Sequence, residues 1–129
     1  MNLLGSFQPT AVVTKEVIGT DSNITGKSQV SLACIAAGLA DGTSAKVYVQ
    51  VRVGASWYDV ASFAFTTGSA AKMLSVSTAG LSAAATLTDG SLTDDTAIQG
   101  LLGKELRAIL TTTGTYTAGT VSVYYQTHD

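Results

Sequence analysis

The chain has 129 residues, a formal charge of −2 and only 12% charged side chains, about half of the usual share, while Ala, Thr, Ser and Gly fill nearly half of it. That length suits one core rather than two, and seven scattered Lys and Arg give no basic patch for a phosphate backbone, so nucleic acid is not expected as a partner. No stretch approaches the roughly 18 apolar residues of a membrane helix, so no membrane is expected either; a secretory leader is not expected at Met1–Thr10, and a small outer-membrane barrel is disfavoured because the aromatics form no paired girdles.

In chain order, residues 1–10 read as an N-terminal arm carrying Leu3, Leu4, Phe7 and the only proline, Pro9, with a single domain over 11–129. A first strand is expected at Ala11–Ile18, rich in β-branched residues, then turn chemistry from Gly19 to Gly26 and a second strand at Gln29–Ile35. Asp41-Gly42 marks a turn into Ala45–Val53, where Val47, Val49, Val51 and Val53 alternate with Lys46, Tyr48, Gln50 and Arg52, so one face is buried and the other wet. Gly54-Ala55 predicts a hairpin to Ser56–Phe65, with Trp57, Asp59, Ala61, Phe63 and Phe65 on the inward face and Tyr58 and Val60 on the other.

Strands are expected next at Lys72–Thr78 and Leu81–Thr88. Residues 96–102 fit a helical stripe that Gly100 and Gly103 interrupt, so the reading there is a short helical turn or a loop. Strands at Lys104–Thr113 and Thr120–Thr127 complete the chain. The fold class is therefore all-β, a jelly roll or antiparallel β-sandwich of seven to nine short strands, with at most one short helix near 96–102.

Catalytic parts are few: His128 is the lone histidine and the penultimate residue, and the carboxylates sit mostly in turns. No catalytic residue, cofactor or metal is assigned. Asp21-Ser22-Asn23-Ile24-Thr25-Gly26 imitates half of a calcium loop, but Leu32 stands where the closing Glu belongs, so a turn held by Asp and Asn side chains is the better reading; Asp89–Asp95 is read alike. Cys34, alone and among apolar neighbours, reads as a buried thiol. A surface of small, weakly polar side chains loses little entropy when covered, which favours assembly over a monomer with a Thr/Ser coat. The possible interface comprises Leu3, Leu4, Phe7, Tyr48, Arg52, Tyr58 and Tyr124, and a sandwich module holding carbohydrate on Trp57 or Tyr124 is the rival reading.

Several segments also resemble the small β-rich head proteins of tailed bacteriophages: Ser6-Phe7-Gln8-Pro9-Thr10-Ala11-Val12-Val13, Gly26 to Leu32, Ser56-Trp57-Tyr58-Asp59-Val60-Ala61, Leu106-Arg107-Ala108 to Gly114-Thr115, and Gly119 to Val123. The likeness is to capsid cement or decoration proteins, and also to other minor virion components. It implies a jelly-roll-like domain without enzymatic activity, a dimer or trimer that bridges major capsid protein subunits on the outer capsid surface after synthesis in the bacterial cytoplasm.

Overall fold

A computed structural model describes residues 1–79 and 83–129. Among the described residues there are eight strands and no helix: β1 (Asn2–Phe7), β2 (Glu16–Asp21), β3 (Gln29–Ala40), β4 (Ser44–Val53), β5 (Ser56–Phe65), β6 (Gly68–Ser77), β7 (Leu106–Thr113) and β8 (Ala118–His128). Their order across the sheet is β5-β4-β7-β2-β1-β8-β3-β6. The first strand pairs with the last, the second with the seventh, the third with the sixth and the fourth with the fifth, all antiparallel. The chain is thus one long hairpin, rolled so that β7 also meets β4 and β8 also meets β3. That winding is a jelly roll, and it divides into two four-stranded layers, β5-β4-β7-β2 and β1-β8-β3-β6.

Among the described residues the only strand pair that joins the layers on one side is Gly5 opposite Gly19. The backbones cross so closely there that a Cβ on Gly5 would lie 1.9 Å from the carbonyl oxygen of Ile18, and one on Gly19 would lie 2.1 Å from that of Leu4. On the other side β5 and β6 do not pair, and the segment 88–100 fills the gap. The N–H groups of Asp59 and Ser62 donate to Thr88 O and Thr96 O at 2.8 and 2.9 Å, and those of Ile98 and Gly100 donate to Val60 O and Ser77 O at 2.8 and 2.7 Å. The Gln99 amide accepts from Ser77 N–H and donates to Ser75 O. An irregular segment thereby covers two strand edges that would otherwise offer unpaired backbone groups.

The core lies between the layers. Val47, Val49 and Val51 of β4, Phe63 of β5 and Leu106, Ala108 and Leu110 of β7 are fully buried on one side. Val30, Leu32 and Cys34 of β3 and Val121 and Val123 of β8 face them, equally buried. Each buried Val or Leu contributes about 1.5–3 kcal/mol, so the alternation that places them inward decides the fold. Val47, Val49 and Val51 point inward as their period predicts, but Val53 is exposed, and the opposite face of β4 is not wet throughout, since Tyr48 and Gln50 on it are buried.

Three expectations give way. Residues 2–7 are not an arm but a strand in the middle of the sheet order, held between β2 and β8. The first expected strand starts later, at Glu16, and runs through Gly19 to Asp21 where a turn was expected; before it, Val13 exchanges bonds with Thr112, and Lys15 adopts a positive φ of 51° that interrupts extended pairing. Of the strand expected at 81–88, residues 83–88 are irregular and 80–82 lie outside the described residues. The stretch 96–102 takes the loop form of the two readings, because its backbone groups bond the edges of β5 and β6 and Gly100 sits at φ +96°.

A further difference lies inside β5. Val49 is opposite Ala61 and Gln50 is opposite Asp59, which leaves Val60 as an extra residue. This bulge shifts the alternation by one: Ala61 and Phe63 point inward, whereas Asp59 and Trp57 turn to the outer face with Gln50 and Arg52. A carboxylate that simple alternation would bury among phenylalanines is thereby placed against polar partners.

Candidate interaction surface

The two outer faces of the roll differ sharply in charge. On the β5-β4-β7-β2 layer, the segment 88–96 lies over β4 and β5 and buries a polar network. Asp59 is fully buried and its carboxylate accepts from Gln50 Nε2 at 2.9 Å, Thr88 Oγ1 at 2.8 Å, and the backbone N–H groups of Gly90, Ser91 and Leu92 at 2.9 to 3.1 Å. Three consecutive N–H groups converging on one anion form a nest, so Asp59 fixes the path of the covering segment. Gln50, also fully buried, donates to Asp89 Oδ1 at 2.7 Å and accepts from Arg107 Nε at 2.9 Å. The Arg107 guanidinium then stacks 4.4 Å from the centre of the Trp57 ring.

The remaining carboxylates of this segment each take a cation. Asp89 pairs with Lys15 at 3.4 Å, Asp94 with Lys46 at 3.1 Å and Asp95 with Lys72 at 2.9 Å. The Gln50 hydrogen bond, helped by Lys15, holds the Asp89 carboxyl below the usual range. Burial pushes Asp95 the other way, but Lys72 and the Ala64 N–H outweigh it and the net shift is downward. A cleft of about 300 Å³ opens at the unpaired β5–β6 edge, lined by Lys46, Lys72, Asp94, Phe65 and Ala36. Both of its lysines are spoken for: Lys72 also donates to Ala64 O at 2.6 Å and lies 5.1 Å over the Phe65 ring.

The outer face of the β1-β8-β3-β6 layer is of another kind. Among the described residues its strands put no Asp, Glu, Lys or Arg side chain on this face, because the one cation of β6, Lys72, stands opposite the buried Cys34 and turns inward; His128, beside Ser31 at the end of β8, is the one ionisable imidazole there. Register places Leu3 opposite Tyr124, Tyr124 opposite Ala33, and Ala33 opposite Met73, so these four form one row across all four strands. Leu3 is 54% and Met73 68% exposed, and Ile35 lies exposed two residues along β3 from Ala33. Serines flank the row, with Ser6 and Ser122 hydroxyls 3.0 Å apart. Large apolar side chains exposed together in an uncharged setting mark a surface meant to be covered.

Of the residues singled out from the sequence, Leu3 and Tyr124 are neighbours in this row. Arg52 is exposed at the other layer, its charge met by Glu105 at 3.3 Å. The other four do not present themselves outward. Leu4, at a bulge in β1, is 8% exposed and belongs to the core; Phe7 is opposite Val121 and packs on it. Tyr48 is 5% exposed on the face that the segment 88–96 covers, and Tyr58 is half-buried opposite Val51. Trp57 already has its ring occupied by Arg107.

The turn at Asp21 is closed by Asn23 N–H donating to Asp21 Oδ1 at 2.9 Å, while Tyr125 Oη donates to Asp21 Oδ2 at 2.5 Å, so this carboxylate serves the turn and the junction of the layers. Among the described residues no cluster of three or more His, Cys, Asp or Glu is arranged to hold a metal ion. Sequence reasoning missed the Gln50, Asp59 and Arg107 network and the residues Ala33 and Met73. Asp59 inside an otherwise apolar strand was the one available signal.

Fold and surface define the chain as a jelly-roll domain with one charged, internally bonded outer face and one uncharged, apolar-studded one. No protein-family model matches the chain, and no curated protein does. Among solved structures it is similar to a chain of the cowpea mosaic virus empty virus-like particle, at 15% identity and a TM-score of 0.38. The match covers 78% of this chain and 54% of that one, so the chain spans about half the length of the solved chain.

Proposed function

We propose that this protein is a structural virion component, a cement or decoration protein that sits on the outer capsid surface and bridges major capsid protein subunits, without catalytic activity of its own. The observation that carries the reading is the uncharged outer face of the β1-β8-β3-β6 layer with Leu3, Ile35 and Met73 exposed on it. A surface of that composition gives up little hydration when covered. The polar groups of the opposite layer support the same reading, since they bond one another and hold the segment 88–96 in place. A many-copy clamp needs a rigid scaffold, and repeated weak contacts then add through effective concentration.

The experiment is co-sedimentation of the purified chain with empty tailed-phage shells assembled from major capsid protein. Saturable binding and a raised shell disruption temperature are expected. A chain that stays in the supernatant, or that pellets with insoluble polysaccharide instead, overturns the proposal.

A further inference from the structure

We propose that the uncharged face of the β1-β8-β3-β6 layer is covered by a second copy of this chain, the two layers packing face to face about a two-fold axis that runs along the strands. The inference takes from the reading above only that this face belongs to an assembly.

The row across the layer is self-complementary. Its sequence from edge to edge is Leu3, Tyr124, Ala33, Met73. A two-fold axis along the strands exchanges β1 with β6 and β8 with β3. Leu3 then meets the partner's Met73, and the bulky Tyr124 ring meets the partner's Ala33, the small residue of the row. Large opposes small at the centre and apolar opposes apolar at both rims, which is how two sheet faces interdigitate at about 10 Å separation.

Charge selects the same occupant. The opposite layer exposes the ion pairs Lys15–Asp89 and Arg52–Glu105, and seating them on an uncharged sheet would strip their water without supplying polar groups in its place. A face without charges is best covered by another face without charges, and each copy brings one. Size is adequate as well. Four strands about 4.8 Å apart and about ten residues long at 3.3 Å each present roughly 600 Å² in projection. With side-chain relief this approaches the roughly 800 Å² per partner of standard stable interfaces.

The test is sedimentation velocity on the full chain over a concentration series, with no capsid present. The expected species is a dimer, twice the 13.1 kDa chain. Ala33→Glu, which sets a charge beneath the partner's Tyr124, raises the dimer dissociation constant at least about tenfold, with an unchanged circular dichroism spectrum; Met73→Lys does the same at the rim should Ala33→Glu not fold. A Leu3→Cys/Met73→Cys double variant gives a direct geometric readout. Within one molecule these positions are three strand spacings, about 14 Å, apart, whereas across two faces packed at about 10 Å their sulfurs come within reach of a short bis-maleimide. That cross-linker must therefore yield a covalent dimer on a denaturing gel. A monomer at every concentration overturns the proposal, whatever else then binds the face. A dimer indifferent to these charges that fails to cross-link overturns it too, and assigns the contact to another surface. A dimer that obeys both variants but ignores capsid shells upholds this inference and overturns the cement reading.

Discussion

Gln50 and Asp59 are hydrogen-bonded at 2.9 Å with both side chains at zero exposure, yet they stand outside the apolar core, pinned between a sheet and the segment that covers it. Asp59→Asn keeps the shape but replaces one acceptor oxygen by a donor that faces backbone N–H groups. The expected loss is about 2–4 kcal/mol in urea denaturation, together with faster amide exchange at Gly90, Ser91 and Leu92. Unchanged protection at those three amides would refute the anchoring role.

The crossing of β1 and β2 calls for glycine on steric grounds. Gly5→Ala and Gly19→Ala should each cost about 3 kcal/mol or more, since the intruding Cβ meets backbone rather than a side chain that can move. Gly26→Ala is the control: it has open space around it and only a φ of +80° to contend with, so about 1 kcal/mol is expected. Equal losses at all three sites would mean that the crossing is looser than described.

Cys34 lies in the core with its thiol pushed up to about 12, chiefly by burial, with Lys72 pulling it down and Asp95 pushing it up. The thiol is the neutral form at physiological pH and has no route to reagent. An aromatic disulfide reagent should label it only at the rate of unfolding, in step with urea concentration. Rapid stoichiometric labelling of the folded chain would contradict this placement.

Acid sensitivity follows from Asp89 and Asp95. Each has its folded carboxyl below the ordinary value of 3.8. A depressed folded value means that the contribution is fully present above 3.8 and fades as the pH falls through the folded value. Thermal stability should therefore be level with respect to these two groups at neutral pH and decline in strong acid. Asp89→Asn combined with Asp95→Asn should flatten that decline, and an identical acid profile in the double variant would remove them as its cause.

Two substitutions separate scaffold from surface. Val49→Asp places a charge among Val47, Val51 and Ala108 and should abolish folding by circular dichroism. Arg52→Glu removes an exposed pair with Glu105 and a hydrogen bond to Gly54 O and sets two exposed carboxylates together, a change of about 1–2 kcal/mol that leaves the fold intact. A folded Val49→Asp variant would show that β4 is not the core strand.

Much of the architecture was legible because β4 and β8 carry a two-residue alternation of apolar residues, and Gly, Asp and Asn mark the turns between strands. What could not be read depends on partners distant in sequence. Pairing with β2 and β8, rather than local propensity, makes residues 2–7 a strand. The bulge at Val60 reverses the face of Asp59, and periodicity alone cannot announce where a period slips. Leu3 and Tyr124 could be picked out as aromatic or apolar oddities, whereas Ala33 and Met73 join them only through register across β3, β6 and β8. Tyr48 was misjudged because no local pattern reveals that a loop some forty residues downstream returns to cover it.

The pairing of first strand with last also sets the order in which the molecule can be made. Contacts between β4 and β5 close over a two-residue turn, but those between β1 and β8 span nearly the whole chain, so the second kind carries the larger loop-closure entropy. Leu3 and Tyr124 are neighbours only once that long closure is made. A chain that stops short of β8 therefore lacks the row through which copies would meet, and self-association must await the synthesis and pairing of that strand.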